Sequence, residues 1–360
     1  MRQQSFSTRK RLAALTGLRF LAAFYVVVSH GFSWIQQHIA LPESLLPLAR
    51  NGPLAVALFF LLSGFLLSYT YEGNLTGKHE FALFWEARFA RIYPVYLLSL
   101  VLALPFQLGL SFPTRLAVLT MTQAWNPLHH DWAGAWNYPA WSLSVEAFFY
   151  SLFPFLQRRV SRVSNSTLLT LAACTALVCV LGHTPLQSIA DHDQFPFESR
   201  LLVLPLVRLP EFLLGMFLGN YFLRGGEFLS SPFYSYLSAV AVMLLVSLPI
   251  GRWVSFVVIP FAMLIYGLAS SSNLLTAFLS SRVMLLLGGA SYAVYLLQAP
   301  FRDWVRVISE YALGEKARLV TPLTPILLVF FSIAIFRWFE EPIRKKIKGR
   351  FVSKTPSVQD

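Results

Sequence analysis

Ten separate stretches of this chain are apolar over roughly the twenty residues that a helix needs to cross a hydrocarbon core. They fall near 12–33, 52–71, 92–110, 140–156, 167–183, 200–222, 232–249, 253–270, 282–301 and 320–338. With 56% of 360 residues hydrophobic, 13% charged and a mean hydropathy of +0.58, the composition leaves the range of soluble domains. The expected fold is all-α: a polytopic integral membrane protein, a bundle of about ten transmembrane helices. Residues 1–348 form one integral domain, and the polar tail 349–360 is expected to be disordered. The run 111–125 is too short and too polar at its ends to span, and reads as an interfacial or re-entrant piece.

The net charge of +12 raises the question of nucleic acid, but the basic residues are segregated by loop. Arg2, Arg9, Lys10 and Arg11 precede the first span. Lys78, Arg88 and Arg91 follow the second, Arg158, Arg159 and Arg162 the fourth, and Arg344, Lys345, Lys346, Lys348 and Arg350 the tenth. With ten crossings these groups share one side, which the positive-inside rule makes cytoplasmic, together with both termini. The expected location is the bacterial inner (plasma) membrane, with membrane lipid as a partner and no nucleic acid. The loop 302–320, with Arg302, Arg306, Lys316 and Arg318, is the exception, since it should lie outside. The first apolar run is read as an uncleaved helix, because a signal peptidase cut would separate its polar residues from the bundle.

Those polar residues are Arg19 and His30. Eleven helical steps return the second to within about 20° of the first and separate them by roughly 16 Å. Ionisable groups on one stripe of a span need a protein interior or a watery cavity, although an arginine near a span's end can also snorkel. Glu146 lies at similar depth, sharing a face with Ser142 and Tyr150, with Arg19, His30 or Arg208 as possible partners. Arg88 and Arg91, spaced i, i+3, form a pair of guanidinium forks suited to phosphate oxygens or, alternatively, to lipid headgroups, with Lys78 adding to the same field. Arg208 and Glu211 make a self-contained i, i+3 ion pair. No metal is expected: in His129-His130-Asp131 and Asp191-His192-Asp193 neighbouring side chains diverge, with no third partner at ligand spacing. Cys174 and Cys179 are five residues apart on one helix and read as core packing. Asn74 and Asn165 head sequons on the expected cytoplasmic side, where they stay unglycosylated.

Taken in order, these residues resemble the membrane-bound acyltransferase family 3, O-acyltransferases of bacterial surface glycans. The similarity runs through Arg19 and His30, Phe59-Phe-Leu-Leu-Ser-Gly-Phe65, Arg88-Phe-Ala-Arg91-Ile-Tyr-Pro94 and Trp141-Ser-Leu-Ser-Val-Glu146. It continues at Glu211-Phe212 with Gly215, Gly288-Gly-Ala-Ser-Tyr292 through Tyr295-Leu296, and Glu341-Pro342. The chain departs from a common pattern at Gln298, where many members carry histidine. The resemblance implies a cytosolic acyl-coenzyme A donor, most often acetyl-coenzyme A, a carbohydrate acceptor hydroxyl at the outer face, and no fused hydrolase-like domain.

On this reading His30 is the catalytic residue, as general base or as transient acyl carrier, with Arg19 holding the donor arm or stabilising carbonyl charge and Glu146 orienting His30. Arg88, Arg91 and Lys78 bind the donor's phosphates. Ser63, Tyr93, Trp141, Arg208 and Glu211 support the site. The alternative is a transporter of a lipid-linked glycan or other envelope precursor, with the charges lining its path, or a noncatalytic assembly subunit. The acceptor is open among exopolysaccharide, lipopolysaccharide, a nodulation-type oligosaccharide and a macrolide.

Overall fold

The computed structural model describes residues 12–31, 42–129, 132–190, 201–227, 230–248 and 254–352. The basic residues before span one, His130 and Asp131 of the first histidine–acid grouping, all of the second and residues 353–360 of the tail lie outside these ranges. Among the described residues every regular element is helical. Ten long helices fall on the ten apolar runs: α1 Ala13–His30, α2 Ala55–Tyr71, α3 Lys78–Ala103, α4 Trp141–Val160, α5 Asn165–Ala190, α6 Pro205–Leu223, α7 Pro232–Val246, α8 Val258–Ser270, α9 Arg282–Leu313 and α10 Thr324–Ile335. A π-helical turn, Phe336–Glu340, leads into α11, Glu341–Val352. The boundary expected at Lys348 therefore falls inside a helix. The segment read as interfacial contains a short helix, Phe112–Leu119.

Seven of the ten spans are long and apolar enough to cross a membrane, α10 only together with the turns that continue it on both sides, Lys316–Ile347. The exceptions are instructive. Helices α7 and α8 are apolar but short, at 15 and 13 residues. Helix α4 has 20 residues but is diluted by Ser142, Ser144, Glu146 and Gln157, all of which turn inward. Outward faces carry the hydrocarbon instead, as at Val101, Leu181, Leu244 and Phe330, each more than half exposed. That inversion is what a lipid-solvated bundle requires.

Lipid tails are as apolar as leucine, so close approach of backbones, not burial from water, holds the helices together. A Cβ on Gly64 would run into the backbone oxygen of Phe212, and one on Gly215 into that of Leu61, so these two glycines bring α2 and α6 into backbone contact. Polar side chains bind the same region across helices: Ser68 donates to Gln157 Oε1 (2.9 Å) and Gln157 Nε2 to Asn220 Oδ1 (2.8 Å). Of the two cysteines, Cys179 is buried in the core and Cys174 is exposed, because five helical residues turn them about 140° apart.

Interior prolines occur at Pro94, Pro154, Pro210 and Pro300, and at two of these the carbonyl that proline leaves unpaired is taken by a specific donor. Pro154 frees the oxygen of Tyr150, which accepts from Trp85 Nε1 at 2.9 Å and fastens α3 to α4. Pro300 frees the oxygen of Leu296, which accepts from Asn137 Nδ2 at 3.0 Å and fastens the loop before α4 to α9. Helix α9 continues unbroken for 32 residues before Gly314, at φ +53°, ends it. This corrects the expectation of a loop over 302–320: Arg302 and Arg306 stand on the continuing helix, where Arg306 pairs with Asp303 one turn back (3.9 Å). A helix that rises beyond the apolar run has the polar surface of a loop, and hydropathy does not distinguish the two.

Candidate active site

Two cavities lie along α1 and α9, near the start of α4. The first, about 350 Å³, is lined by Arg19 from α1, Ser63 from α2, Arg88 and Arg91 from α3, and Glu146 and Tyr150 from α4, with Ser142, Ser291, Tyr292 and Tyr295 closing it. Three guanidiniums face one carboxylate here, and the electrostatic neighbours of Arg19 are Arg91, Glu146, Tyr150 and Arg88. Ser142, Glu146 and Tyr150 line it together, as their spacing of one turn requires. Arg88 is steadied by the rings of Tyr71 (5.7 Å) and Phe84 (5.8 Å) and by a 3.4 Å hydrogen bond to the Tyr71 hydroxyl, while its buried Nε has no partner among the described residues. A planar cation held by stacking, with donor capacity to spare, is suited to an anionic ligand.

The second cavity, about 750 Å³, is lined by His30 and Gly31 at the end of α1, by Tyr138 and Pro139 before α4, and by Gln298, Arg302 and Asp303 of α9. His30 Nδ1 lies 2.8 Å from Gln298 Oε1, and the Tyr138 ring meets the imidazole edge-on, 5.6 Å between centroids at 72°. The loop that delivers Tyr138 and Pro139 is tied down by Asn137 to Ser99 and Leu296 and by Trp136 Nε1 to the oxygen of Leu100 (2.9 Å).

Ser142 and Tyr295 line the arginine cavity, whereas Pro139, in the turn just before α4, and Gln298, one turn further along α9, line the histidine cavity. At the step between them Ser142 Oγ and the Tyr295 hydroxyl are hydrogen-bonded at 2.8 Å, and the Tyr295 ring packs edge-on against Phe59 (5.7 Å). Arg19 and His30 thus share a helix but not a cavity. Glu146 faces Arg19, and the group that contacts His30 is Gln298.

The remaining sequence-derived residues divide. Ser63 lines the arginine cavity and donates to the Tyr150 hydroxyl at 3.4 Å. Arg208 and Glu211 form their ion pair at 2.8 Å, with the Arg208 guanidinium over Phe60 (5.8 Å) and Trp141 (5.9 Å), so this group props the cavity wall that Phe60 supplies. Tyr93 turns away, donating to the oxygen of Leu119 at 3.2 Å. Lys78, at the first turn of α3, is exposed and about 15 Å along the helix from Arg88, outside the cavity lining. Tyr292 and Tyr295, which entered the sequence reading only within the resemblance because their i, i+3 spacing in an apolar run is also that of packing, line the arginine cavity, and Glu340 lies outside both linings. Glu340 is 3% exposed on the π-turn, with Arg91 and Arg344 as its electrostatic neighbours. Among the described residues no cluster of three or more metal-ligating side chains occurs.

A family model described as an acyltransferase domain matches residues 12–339, a range containing both cavities. The chain belongs to acyltransferase family 3. It is 32% identical to acyltransferase MdmB of Streptomyces mycarofaciens over 80% of this chain and 78% of that protein. It is also 25% identical to O-acetyltransferase OatA of Staphylococcus aureus, over 96% of this chain but only 59% of OatA. A shorter similarity, 37% over 103 residues, links it to protein 2 of the picA locus of Rhizobium radiobacter. No solved structure matches it. As a member of acyltransferase family 3 the protein needs places for an acyl donor and for an acceptor, and its fold offers two chemically unlike cavities.

Proposed function

We propose that this protein transfers an acyl group, acetyl in the simplest case, from cytosolic acyl-coenzyme A to a hydroxyl of a cell-envelope or exported glycan across the bacterial inner membrane. The observation that carries the reading is the pairing of an arginine-rich cavity with a histidine-bearing one, a single turn apart at the start of α4 and along α9. Arg88 and Arg91 hold the donor's phosphates, and the positive-inside distribution of loop charges supports placing their end of the bundle in the cytoplasm, with both termini. The acyl arm then extends past Ser142 and Tyr295 toward His30.

His30 takes the proton of the acceptor hydroxyl as its oxygen forms a bond to the thioester carbonyl carbon. The carbon–sulfur bond breaks, and His30 returns the proton to the departing thiolate. Arg19, about 16 Å along α1 from His30 and in the other cavity, is better placed to hold the donor arm than to touch the reacting carbonyl. Glu146 balances the charge of that guanidinium. The larger cavity around His30, with Arg302 and Asp303 at its wall, is suited to a hydroxyl-rich acceptor.

The test is reconstitution in vesicles with labelled acetyl-coenzyme A on one face and acceptor glycan on the other. Ester is expected on the glycan with wild type and not with His30→Ala. Glycan movement without ester would contradict the proposal and favour a transporter.

A further inference from the structure

The hydrogen bonds around Gln298 determine more than a contact. Its Nε2 donates to the backbone oxygen of Tyr295 at 2.6 Å, and that oxygen can only accept. The amide is therefore not free to flip, and its Oε1, also an acceptor only, is the atom 2.8 Å from His30 Nδ1. The proton between them belongs to the imidazole.

Resting on the proposed role of His30, we infer that Gln298 is a positioning residue that fixes His30 as the Nδ1–H tautomer and leaves the Nε2 lone pair as the reactive one. No described group hydrogen-bonds Nε2. The same tautomer serves whether that lone pair accepts the hydroxyl proton or carries the acyl group, because in both cases the reacting nitrogen is the one Gln298 does not touch.

The arrangement is held from three sides. Asn137 grips the carbonyl of Leu296 that Pro300 leaves vacant, so the turn of α9 carrying Tyr295 and Gln298 is anchored to the loop before α4. Tyr295 is anchored in turn by Ser142. The edge-on Tyr138 ring, delivered by the same loop, packs beside the imidazole and opposes the ring flip that would exchange Nδ1 for a carbon. A histidine oriented through one nitrogen by a fixed acceptor is the arrangement that an aspartate supplies in hydrolytic triads. Here the acceptor is neutral, so it selects a tautomer without adding a charge to the hydrocarbon interior.

The experiment is nitrogen-15 NMR of the full chain, histidine-labelled, in lipid nanodiscs, with the His30 signals identified by their loss in His30→Asn. Wild type is expected to show neutral His30 protonated on Nδ1. Gln298→Met, similar in size but unable to accept from Nδ1 as an amide does, is expected to shift the population toward Nε2–H. It should also lower kcat by about 10- to 100-fold, the scale on which orienting partners of functional histidines act, with the donor KM unchanged. Gln298→Glu, which keeps an oxygen acceptor, is expected to retain the wild-type tautomer. An Nε2–H imidazole in wild type, or an unaltered tautomer in Gln298→Met, overturns the inference. The spectroscopic result needs no turnover, so it stands apart from the fate of the acyltransfer reading, which fails instead if His30→Asn remains fully active.

Discussion

The two cavities share helices α1 and α9 but hold their key side chains by different means. The arginine cavity is small, with three guanidiniums facing one carboxylate and that of Arg88 lying over the rings of Tyr71 and Phe84. The histidine cavity is about twice as large, and the side chain at its centre is held by a neutral amide and the edge of a ring. Cations where an anion must be held, and uncharged contacts at the one side chain that must move a proton even though Arg302 and Asp303 line the same cavity, are a division of labour. A binding site gains from permanent cations, whereas a base loses its lone pair if its surroundings stabilise the protonated form. The step at Ser142 and Tyr295 keeps the two regimes apart.

The sharpest way to break that comparison is to remove one side of it. His30→Ala is expected to lower kcat by about 10²–10⁴-fold, the usual worth of a positioned acid–base group. Radiometric ester formation measures this, and an unchanged rate would remove the histidine cavity from the chemistry. Blocking the step comes next. Ser142→Leu puts a branched side chain against Tyr295 and is expected to cut turnover by about 10²-fold through misplacement of the reacting groups. Donor affinity by equilibrium dialysis should hardly move; a parallel loss of affinity would mean that the two cavities are one site. On the other side, Arg88→Ala should weaken donor binding by about 10- to 100-fold, the loss of one charge-assisted contact. Arg88→Lys should recover only part of this, because an ammonium lacks the planar face and the fork of donors that the guanidinium presents beside Tyr71 and Phe84. The smallest expected effect is on stability: Asn137→Ala leaves the oxygen of Leu296 unpaired beside Pro300 and should cost about 1–3 kcal/mol, read as a lower midpoint of thermal unfolding in detergent.

Much of this architecture can be read from the sequence because membrane folding exaggerates its own signals. Ten apolar runs became ten helices; Arg19, His30 and Glu146 stood out since ionisable groups at that depth need a reason, and Arg88 and Arg91 by their i, i+3 spacing at the end of a span. Lys78 misled because proximity in sequence to Arg88 says nothing about a helix about 15 Å long between them. Arg302 and Arg306 misled because a helix leaving the membrane looks like a loop to a hydropathy scale. The partner of His30 was out of reach for a different reason. Gln298 is uncharged, 268 residues away, and has a role only because its amide is locked by the oxygen of Tyr295. Charge announces itself in a sequence, while the orientation of a neutral amide exists only in the fold.

The central claim is that donor holding and acyl transfer reside in different cavities. It is tested most directly by measuring labelled acetyl-coenzyme A binding and ester formation side by side in His30→Ala and in Arg88→Ala/Arg91→Ala. The account expects the histidine variant to bind donor as wild type does while forming no ester, and the double arginine variant to lose binding. Loss of donor binding in His30→Ala, or wild-type binding in the double arginine variant, would contradict it.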